Sequence, residues 1–322
     1  MSDNHNKESS LMFPVDTSKP ILDYPLPLTW ERMMAYLNCF AERYPQLGFS
    51  VLGESVLGRS IPMVTLGEGK KTFIYIGTHH GMEWMTATIL LRFCEDLLLA
   101  KRAGKAVYRL SPDRFWESHT LYVVPMLNPD GVEYQLHGVD SENPLYQRLL
   151  TMNGGSDSFV SWQANARGVD LNHNYDAGFS AYKQMEMEND IYGGAPSKYS
   201  GEAPESEPEV AYLCSFIRFQ SDLRAVLTLH TQGEEIYYRS EGKAPPISRN
   251  VARKMSLLSG YRLAEASGSA AFGGLTDWCI QKQNLPAFTM ECGRGKNPLP
   301  LDAFFPIYSN IREVLFSFPL FF

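Results

Sequence analysis

The sequence predicts a single α/β domain whose mixed, largely parallel twisted β-sheet carries helices on both faces. Segments with the apolar pattern of strands alternate with helical segments over nearly the whole chain, as in parallel sheets that are covered on both sides. Of the 322 residues, 44% are hydrophobic and the 25 Gly and 20 Pro are ordinary numbers for a folded protein. Neither a repeat nor a linker divides the chain, so we expect a flexible polar tail over residues 1–26 and a domain over residues 27–322.

The first elements after the tail are a helix and a hairpin. Apolar residues recur at helical spacing from Met33 to Phe40, and Pro45 follows. Two short apolar-rich runs come next, FSVLGES and SIPMVTLG, and a Gly-containing turn separates them. This pattern predicts a β-hairpin.

The middle of the chain begins with a strand, a loop and a helix. The segment KTFIYIGTHH predicts a buried strand that ends in a polar loop, and WMTATILLRFCEDLLLA predicts a helix. A further strand, TLYVVPML, runs into a predicted turn at residues 128–131. Residues 135–205 sustain no period, and so long an irregular region usually carries function.

The last part of the chain returns to alternating elements. Ser206 and Glu209 have the spacing of a capping box, with Pro208 between them, and predict the start of the helix EVAYLCSFIRFQ. The strand LRAVLTLH follows. We then expect a strand in EEIYYRS, helices at about 246–259 and 276–283, a strand in PAFTMEC and a closing helix.

Composition excludes several classes of protein. The net charge of −7 and the pI of about 5.6 argue against a nucleic-acid partner, which would need a clustered basic face. No apolar segment is long enough to cross a bilayer and no secretory signal is evident, so we expect a cytoplasmic protein without a membrane partner. The oligomeric state is left open.

The cysteines do not form a disulfide pattern, because they are odd in number, widely spaced and never in a C-x-x-C pair. They are Cys39, Cys94, Cys214, Cys279 and Cys292. We expect free thiols in a reducing compartment. Cys292 as a thiolate nucleophile has no base beside it in sequence, so a buried strand residue is the preferred interpretation.

Polar side chains follow three of the predicted strands. His80 and Glu83 come after FIYIG, His230 ends AVLTLH, and Glu291 follows AFTM. Ligands of open α/β sheets bind at the carboxyl ends of the strands, so these residues can meet there. Two imidazoles and one carboxylate are a catalytic zinc set that leaves one position open for water.

The chemistry explains why these residue types are needed. Two neutral imidazoles and one carboxylate leave a zinc site positive, which lowers the pKa of a bound water. A carboxylate that does not bind the metal, for which Glu291 is the candidate, can then take the proton of the water and deliver it to the departing amine. Taken singly, each of these residues is also explained as a hydrogen-bonded polar residue at a strand end or as a first-turn glutamate favoured by the helix dipole.

A set of motifs that runs in order through residues 27–322 resembles the zinc carboxypeptidase family. Within that family, the set is most similar to bacterial γ-D-glutamyl-L-diamino acid (meso-diaminopimelate) peptidases. The motifs are GTHHGMEW, NPDG, RGVDLNHNYDAGF, SEPE, LHTQGEEIYY and TMECGRGKNPLP. The resemblance implies that His80, Glu83 and His230 bind one zinc ion and that Glu291 is the general base. It also places Asn172 at a position that contacts the substrate carboxylate.

This sequence departs from the family pattern at substrate-binding positions. His173 stands where the family has a carboxylate-binding arginine, so the carboxylate could instead be bound by Arg167, Arg239 or Arg294. Gln163 occupies the position of an oxyanion-stabilising arginine and can donate a hydrogen bond but no charge. No counterpart of the substrate-contacting tyrosine of the family is found in residues 266–274.

These observations predict a zinc peptidase that hydrolyses the γ-D-glutamyl bond to meso-diaminopimelate, or to a related diamino acid, in murein-derived peptides. Peptide recycling and sporulation are the settings we expect. Two alternatives stay open at this point: a general metallocarboxypeptidase that removes C-terminal residues from ordinary peptides, and a non-catalytic peptide-binding protein on the same fold.

Overall fold

The computed structural model describes residues 20–22 and 25–322. Most of the predicted polar tail, residues 1–19, 23 and 24, therefore lies outside the described residues. Within the predicted tail, Leu22 is buried in the main core, and the backbone N–H groups of Ile21 and Leu22 donate to the carboxylate of Glu95. The packed chain thus includes residues before position 27.

Eight strands form one mixed sheet among the described residues. They are β1 (Gly48–Glu54), β2 (Ser60–Leu66), β3 (Lys71–Ile76), β4 (His119–Val124), β5 (Leu223–His230), β6 (Glu235–Tyr237), β7 (Arg262–Ala264) and β8 (Ala287–Glu291). Their order across the sheet is β1-β2-β4-β3-β5-β8-β6-β7. The four central strands β4, β3, β5 and β8 run parallel, and antiparallel strands flank them on both sides. The predicted mixed, largely parallel sheet is confirmed.

Ten α-helices accompany the sheet in the described part of the chain. They are α1 (Trp30–Arg43), α2 (Met85–Ala103), α3 (Pro112–Ser118), α4 (Pro129–His137), α5 (Tyr146–Met152), α6 (Phe179–Glu188), α7 (Pro208–Phe219), α8 (Ser248–Ser259), α9 (Leu275–Gln283) and α10 (Phe304–Ser317). None of the described helices is both long enough and apolar enough to cross a membrane.

The core lies on both faces of the sheet, as β3 illustrates. Phe73 and Tyr75 point into one apolar cluster, whereas Ile74 and Ile76 point into another. The first cluster includes buried residues of α1, α2, α3, α8 and α10, and the second those of α7 and α9. Because side chains alternate along a strand, a strand covered on both faces is apolar over its covered part, as residues 73–76 are.

Several local expectations were wrong. Residues 128–131 do not form an isolated turn but begin α4, because the side chain of Asn128 caps the helix by accepting from the N–H of Gly131, and Pro129 occupies the first helical position. The predicted capping box also does not form: α7 begins after Glu207 without a side-chain cap, and the Ser206 hydroxyl donates to the Glu207 carboxylate instead. Within the region described as irregular, α5 and α6 are helical.

Candidate active site

The predicted site residues converge at the carboxyl edge of the three adjacent parallel strands β3, β5 and β8. Ile76, the last residue of β3, pairs with Thr228 of β5, and His230 at the end of β5 pairs with Glu291 at the end of β8. The chain leaves β3 toward β4 on one side and later enters β5 on the other side. Such a switch in strand order opens a crevice at the sheet edge, which is where ligands bind in α/β proteins.

Three side chains meet in this crevice with their ligand atoms close together. His80 Nδ1 lies 2.9 Å from Glu83 Oε1 and 3.3 Å from His230 Nδ1, and Glu83 Oε2 lies 3.2 Å from His230 Nδ1. A tetrahedral zinc ion with bonds of about 2.0–2.1 Å holds its ligand atoms roughly 3.3 Å apart. The spacing therefore fits zinc, and among the described residues this is the one group of three such side chains that could hold a metal ion.

The orientation of His80 also suits a cation at this point. His80 Nε2 lies 3.1 Å from Asp170 Oδ1, so the carboxylate holds a ring proton on Nε2 and directs Nδ1 toward the metal-binding group. Nδ1 faces Glu83 Oε1 and His230 Nδ1. A metal ion that binds these atoms replaces the protons that the imidazoles otherwise share with the carboxylate. A carboxylate that orients a metal-binding histidine in this way is a common second layer of zinc sites.

The pKa values reflect the same charge arrangement. Burial opposes charge on every group here, yet the pKa of His80 is raised well above its usual value because Glu83 and Asp170 face it. Burial alone would raise the pKa of Glu83, but His80 and the hydrogen bonds from His230 and His80 outweigh it and lower the pKa to about 2. Asp170 keeps its charge for the same reason, and its pKa lies well below the ordinary value. The site therefore presents fixed negative charge to a cation.

Glu291 lies beside the metal-binding group without belonging to it. Its backbone is the register partner of His230, so the two side chains leave the same face of the sheet at the same level. Burial raises the pKa of Glu291 well above its usual value, and the charge of Glu83 adds to this effect. A carboxyl group with a raised pKa is suited to accept a proton and return it.

Close backbone packing holds the segment that carries His80. The N–H of Gly81 donates to the carbonyl of Gln163, and a Cβ at Gly81 would lie only 2.3 Å from the carbonyl oxygen of Gly131. Asn128 Nδ2 donates to the carbonyl oxygens of His79 and Gln163. Gly81 is thus required by the contact between α4 and the 3₁₀ turn at residues 81–83, and a Cβ at Gly131 would lie 2.3 Å from the carbonyl oxygen of Ala164.

A further histidine, His79, packs against the metal-binding group. Its ring stacks on that of His230 with centroids 5.1 Å apart, and its nitrogens contact Tyr175 Oη at 2.9 Å and Thr228 Oγ1 at 3.3 Å. Burial, together with the neighbouring His230 and His80, lowers the pKa of His79 well below its usual value. His79 is therefore a neutral ring that supports His230.

Asn172 and His173, at two of the predicted substrate-binding positions, lie next to this group, because Asp170 stands two positions before Asn172 and accepts from its N–H. The Oδ1 atom of Asn172 accepts from the N–H of Leu275, which leaves its amide NH₂ to donate elsewhere. His173 Nδ1 donates to the carbonyl of Phe272, and its ring stacks on Tyr182 with centroids 4.1 Å apart. Burial lowers the pKa of His173, so this side chain is not a cation at neutral pH.

The other predicted residues differ in their placement. Gln163 adjoins the site through its backbone, which binds Gly81, and its side chain is partly exposed. Arg167 is exposed and lies 3.6 Å from the carboxylate of Glu207, and Arg294 is exposed and pairs with Glu234 at 2.6 Å. Both guanidinium groups are thus engaged by carboxylates, and their roles toward a substrate stay predictions.

The sequence interpretation missed Asp170, His79 and Asn297 as parts of the site. Asn297 Nδ2 donates to the carbonyl of Thr231 and lies 3.4 Å from Glu83 Oε1. Each of the three stands inside a motif that was singled out, but the side chains act through partners distant in sequence. A signal for Asp170 was its place two residues before Asn172, since an aspartate there starts a turn by accepting from that N–H.

Comparison with known proteins agrees with this geometry. The described fold resembles that of thrombin-activatable fibrinolysis inhibitor, with a TM-score of 0.69 and 18% identity over 91% of this chain and 73% of that one. It also resembles carboxypeptidase A from Helicoverpa armigera, with a TM-score of 0.64 and 17% identity over 95% of this chain and 72% of that one.

Sequence similarity extends over the same region. The chain is 34% identical over 288 residues to γ-D-glutamyl-L-diamino acid endopeptidase 1 of Lysinibacillus sphaericus, covering 89% of this chain and 71% of that protein. It is 23% identical over 280 residues to carboxypeptidase B of Bos taurus, covering 81% of this chain and 62% of that protein. The family model described as zinc carboxypeptidase matches residues 33–315. The chain therefore belongs to the zinc carboxypeptidase family.

Proposed function

We propose that this zinc metallopeptidase hydrolyses the bond between γ-D-glutamate and meso-diaminopimelate, or a related diamino acid, in murein-derived peptides. Membership of the family and the group of His80, Glu83 and His230 imply one zinc ion per chain. The observation that carries the substrate proposal is the 34% identity, over 89% of the chain, to an endopeptidase named for γ-D-glutamyl-L-diamino acid bonds.

The chemistry of the residues supports hydrolysis. Zinc, when bound, supplies the Lewis acidity that makes water a stronger nucleophile. Glu291 would take the proton of the attacking water and pass it to the departing amine, since its raised pKa lets it hold that proton between the two transfers. Gln163 would donate a hydrogen bond to the developing oxyanion, and Asn172 would donate to the substrate carboxylate.

The environment of His173 supports an unusual substrate. A neutral ring that is stacked on Tyr182 and bonded to Phe272 cannot provide the paired charged donors with which an arginine binds a C-terminal carboxylate. Carboxylate recognition must then be arranged differently from that of an enzyme built for ordinary C-termini. Arg167, Arg239 and Arg294 stay the proposed sources of positive charge.

A general metallocarboxypeptidase is the second candidate, because the chain also resembles carboxypeptidase B over 81% of its length. The two functions predict opposite preferences. Purified protein of measured zinc content should cleave L-Ala-γ-D-Glu-meso-diaminopimelate with a higher kcat/KM than blocked α-linked dipeptides. Equal or reversed preference would refute the murein proposal and favour the second candidate. A non-catalytic binding protein is not retained, because the chain belongs to the zinc carboxypeptidase family and keeps the metal-binding group.

The compartment belongs to the proposal as well. The described cysteines are free thiols, and four of the five are buried. Free thiols are stable in a reducing environment, so we place the enzyme in the cytoplasm, where murein peptides are recycled or produced during sporulation. Measurement of the enzyme in separated cell fractions tests this placement.

A further inference from the structure

The segment that contains Lys198 is fixed against the candidate active site through its backbone. The carbonyl oxygen of Pro196 accepts from the N–H of Gln163 at 2.9 Å. The N–H of Lys198 donates to Asp170 Oδ2 at 3.0 Å, while the other carboxylate oxygen of Asp170 holds the ring of His80. The segment therefore runs between the proposed oxyanion donor and the carboxylate that orients a metal-binding histidine.

The backbone of Lys198 adopts a left-handed conformation, with a φ of 65°. That region is unfavourable for a residue with a side chain, and such residues persist where the surrounding structure fixes them. Here the carbonyl oxygen of Lys198 accepts from the hydroxyl of Tyr182 at 3.0 Å, and the ring of Tyr182 stacks on His173. Both polar groups of the Lys198 backbone are thus bound to residues of the site, which fixes the point from which its side chain extends.

The side chain of Lys198 carries a positive charge that is not engaged. Within the described part of the chain, its ammonium group has neither an ion pair nor a hydrogen-bond partner. The side chain is partly exposed, so a ligand can reach it. By contrast, each of the three arginines considered above pairs with a glutamate, namely Arg167, Arg239 and Arg294. Lys198 can therefore bind an anion without giving up an existing partner.

A γ-D-glutamyl substrate carries a carboxylate that the main chain of an α-linked peptide lacks. Because the γ-carboxyl group of the glutamate makes the scissile bond, its α-carboxylate is free. The carbon of that carboxylate is four bonds from the scissile carbonyl carbon, which is roughly 5 Å in an extended chain. A lysine side chain spans roughly 6 Å from Cα to the ammonium nitrogen. A lysine beside the oxyanion donor can therefore reach this carboxylate while the scissile carbonyl is bound.

The charge of the site requires a further cation for such a group. Asp170 and Glu83 are both ionised, because their pKa values lie well below neutral pH. Their two negative charges offset the two positive charges of one zinc ion. A carboxylate of the substrate therefore needs another positive charge, and a lysine ammonium binds a carboxylate as a point charge.

We propose that Lys198 binds the free α-carboxylate of the D-glutamate, on the acyl side of the scissile bond. This inference rests on the proposed function and adds a residue that distinguishes a γ-glutamyl link from an α-link. The acyl side follows from the bond between Pro196 and Gln163, because Gln163 is the proposed donor to the oxyanion that develops from the acyl carbonyl. The carboxylate of the departing diamino acid is a different group, and Asn172 and the arginines stay its proposed partners.

Three tripeptides that differ in one charged group test the proposal. The first is L-Ala-γ-D-Glu-meso-diaminopimelate. The second has a carboxamide in place of the α-carboxylate of the glutamate, and the third has a carboxamide in place of the α-carboxylate next to the scissile bond in the diaminopimelate. The variants are Lys198→Met, which removes the charge, and Lys198→Arg, which keeps it. Lys105→Met is the matched control, at an exposed lysine beyond the end of α2.

The readout is kcat/KM for each peptide, with the zinc content of every preparation measured. Wild type and Lys105→Met should prefer the first peptide to the second at least tenfold, because the second lacks a hydrogen bond between charged groups. Lys198→Met should lose at least tenfold relative to wild type on the first and third peptides and less than twofold on the second. Lys198→Arg should retain most of the activity on the first peptide. Zinc content should not change, because Asp170 binds the backbone N–H of Lys198 and not its side chain.

Several results would overturn the inference while the proposed function stands. They are equal losses of Lys198→Met on all three peptides, no loss on the first peptide, and a loss that disappears with the third peptide instead of the second. The preference of wild type between the first two peptides needs no variant, and its absence alone would also overturn the inference. A wild-type enzyme that cleaves only α-linked peptides would refute the proposed function, and the inference with it.

Discussion

Replacement of Glu291 by Gln keeps the shape of the side chain but removes its ability to accept a proton. General acid–base catalysis contributes about 10²–10⁴-fold to rate, so we expect kcat to fall by that factor. Zinc content should be unchanged, because Glu291 lies outside the group of His80, Glu83 and His230. Steady-state kinetics and metal analysis of the same preparation check both statements.

Glu235→Gln is the matched control for this substitution. Glu235 is the register partner of Glu291 on β6, but its carboxylate is engaged by Arg262 and Tyr237. Its variant should retain kcat within a few-fold. A fully active Glu291→Gln enzyme, or one that has lost its zinc, would contradict the assignment of the base.

Asp170→Asn should weaken zinc binding, because it removes the charge that orients and polarises His80. Partners of metal-binding histidines typically contribute 10–100-fold to metal affinity or activity. We expect the zinc dissociation constant, measured by competition with a chelator, to rise by that factor. Asp176→Asn, at an exposed ion pair with Lys282, should leave it unchanged; equal constants in the two variants would show that Asp170 does not act on the metal.

Among single residues, the sequence could identify those that directly follow a strand of the sheet. His80, His230 and Glu291 follow apolar runs, and a parallel sheet brings such positions together. Asp170 could not be found in that way, because it lies in a segment without period and reaches His80 across 90 positions of the chain. The role of His79 could not be predicted either, because its ring stacks on that of His230, which is 151 positions away (230 − 79).

The helix α7 begins with a buried carboxyl group that couples stability to pH. Burial is the main cause that raises the pKa of Glu209 to about 8, from an ordinary value of 4.5. Between these values the folded protein holds a proton that the unfolded chain has released. Stability therefore falls as pH rises from about 4.5 to about 8, and the loss is complete above that range.

Glu209→Gln should remove this contribution. Relative to wild type, the variant is expected to gain a few kcal/mol in the free energy of unfolding at pH 8.5 and little at pH 4. Denaturant unfolding across that pH range provides the measurement. Glu188→Gln, at the exposed end of α6, is the control and should follow the wild-type curve. If the Glu209 variant also follows it, the carboxyl group is ionised in the folded protein and the interpretation fails.

Helices and strands were predicted correctly where the apolar periodicity extends over many residues. The predictions failed where helix caps and tertiary packing determine the local structure. The sequence predicted α1, α2 and the central strands from their apolar patterns. It did not predict α5 and α6, because each has few buried residues and weak periodicity. The start of α4 was mistaken for a turn because Asn-Pro-Asp-Gly favours both structures, and the cap from Asn128 together with the packing of α4 against Gly81 favours the helix.

The metal-binding group connects elements that are distant in the chain, so zinc should stabilise the whole molecule. At a free zinc concentration 100 times the dissociation constant, binding contributes about 2.7 kcal/mol. For a chain of this size that corresponds to an increase in Tm of roughly 5 °C. Thermal unfolding with zinc and with a chelator should show this difference, and readdition of zinc should restore the higher Tm.

His80→Ala is the control for this effect, because it removes one ligand and should abolish the difference in Tm between the two conditions.

The general architecture of the molecule was predictable from its alternating elements, and so was the edge of the sheet at which the site lies. A small cavity of about 80 Å³ was not predictable, because its lining comes from segments around residues 239, 265 and 277 that meet only in the folded chain.

The backbone register between β5 and β8 has one further consequence. His230 and Glu291 are partners in the same ladder, so the position of the proposed base relative to a metal ligand can change only in steps of a whole residue. A slip of one residue would turn Glu291 to the opposite face of the sheet. Over evolutionary time, loops and helices around this pair can therefore change length freely, whereas a single-residue insertion within either strand would end catalysis without altering any catalytic side chain.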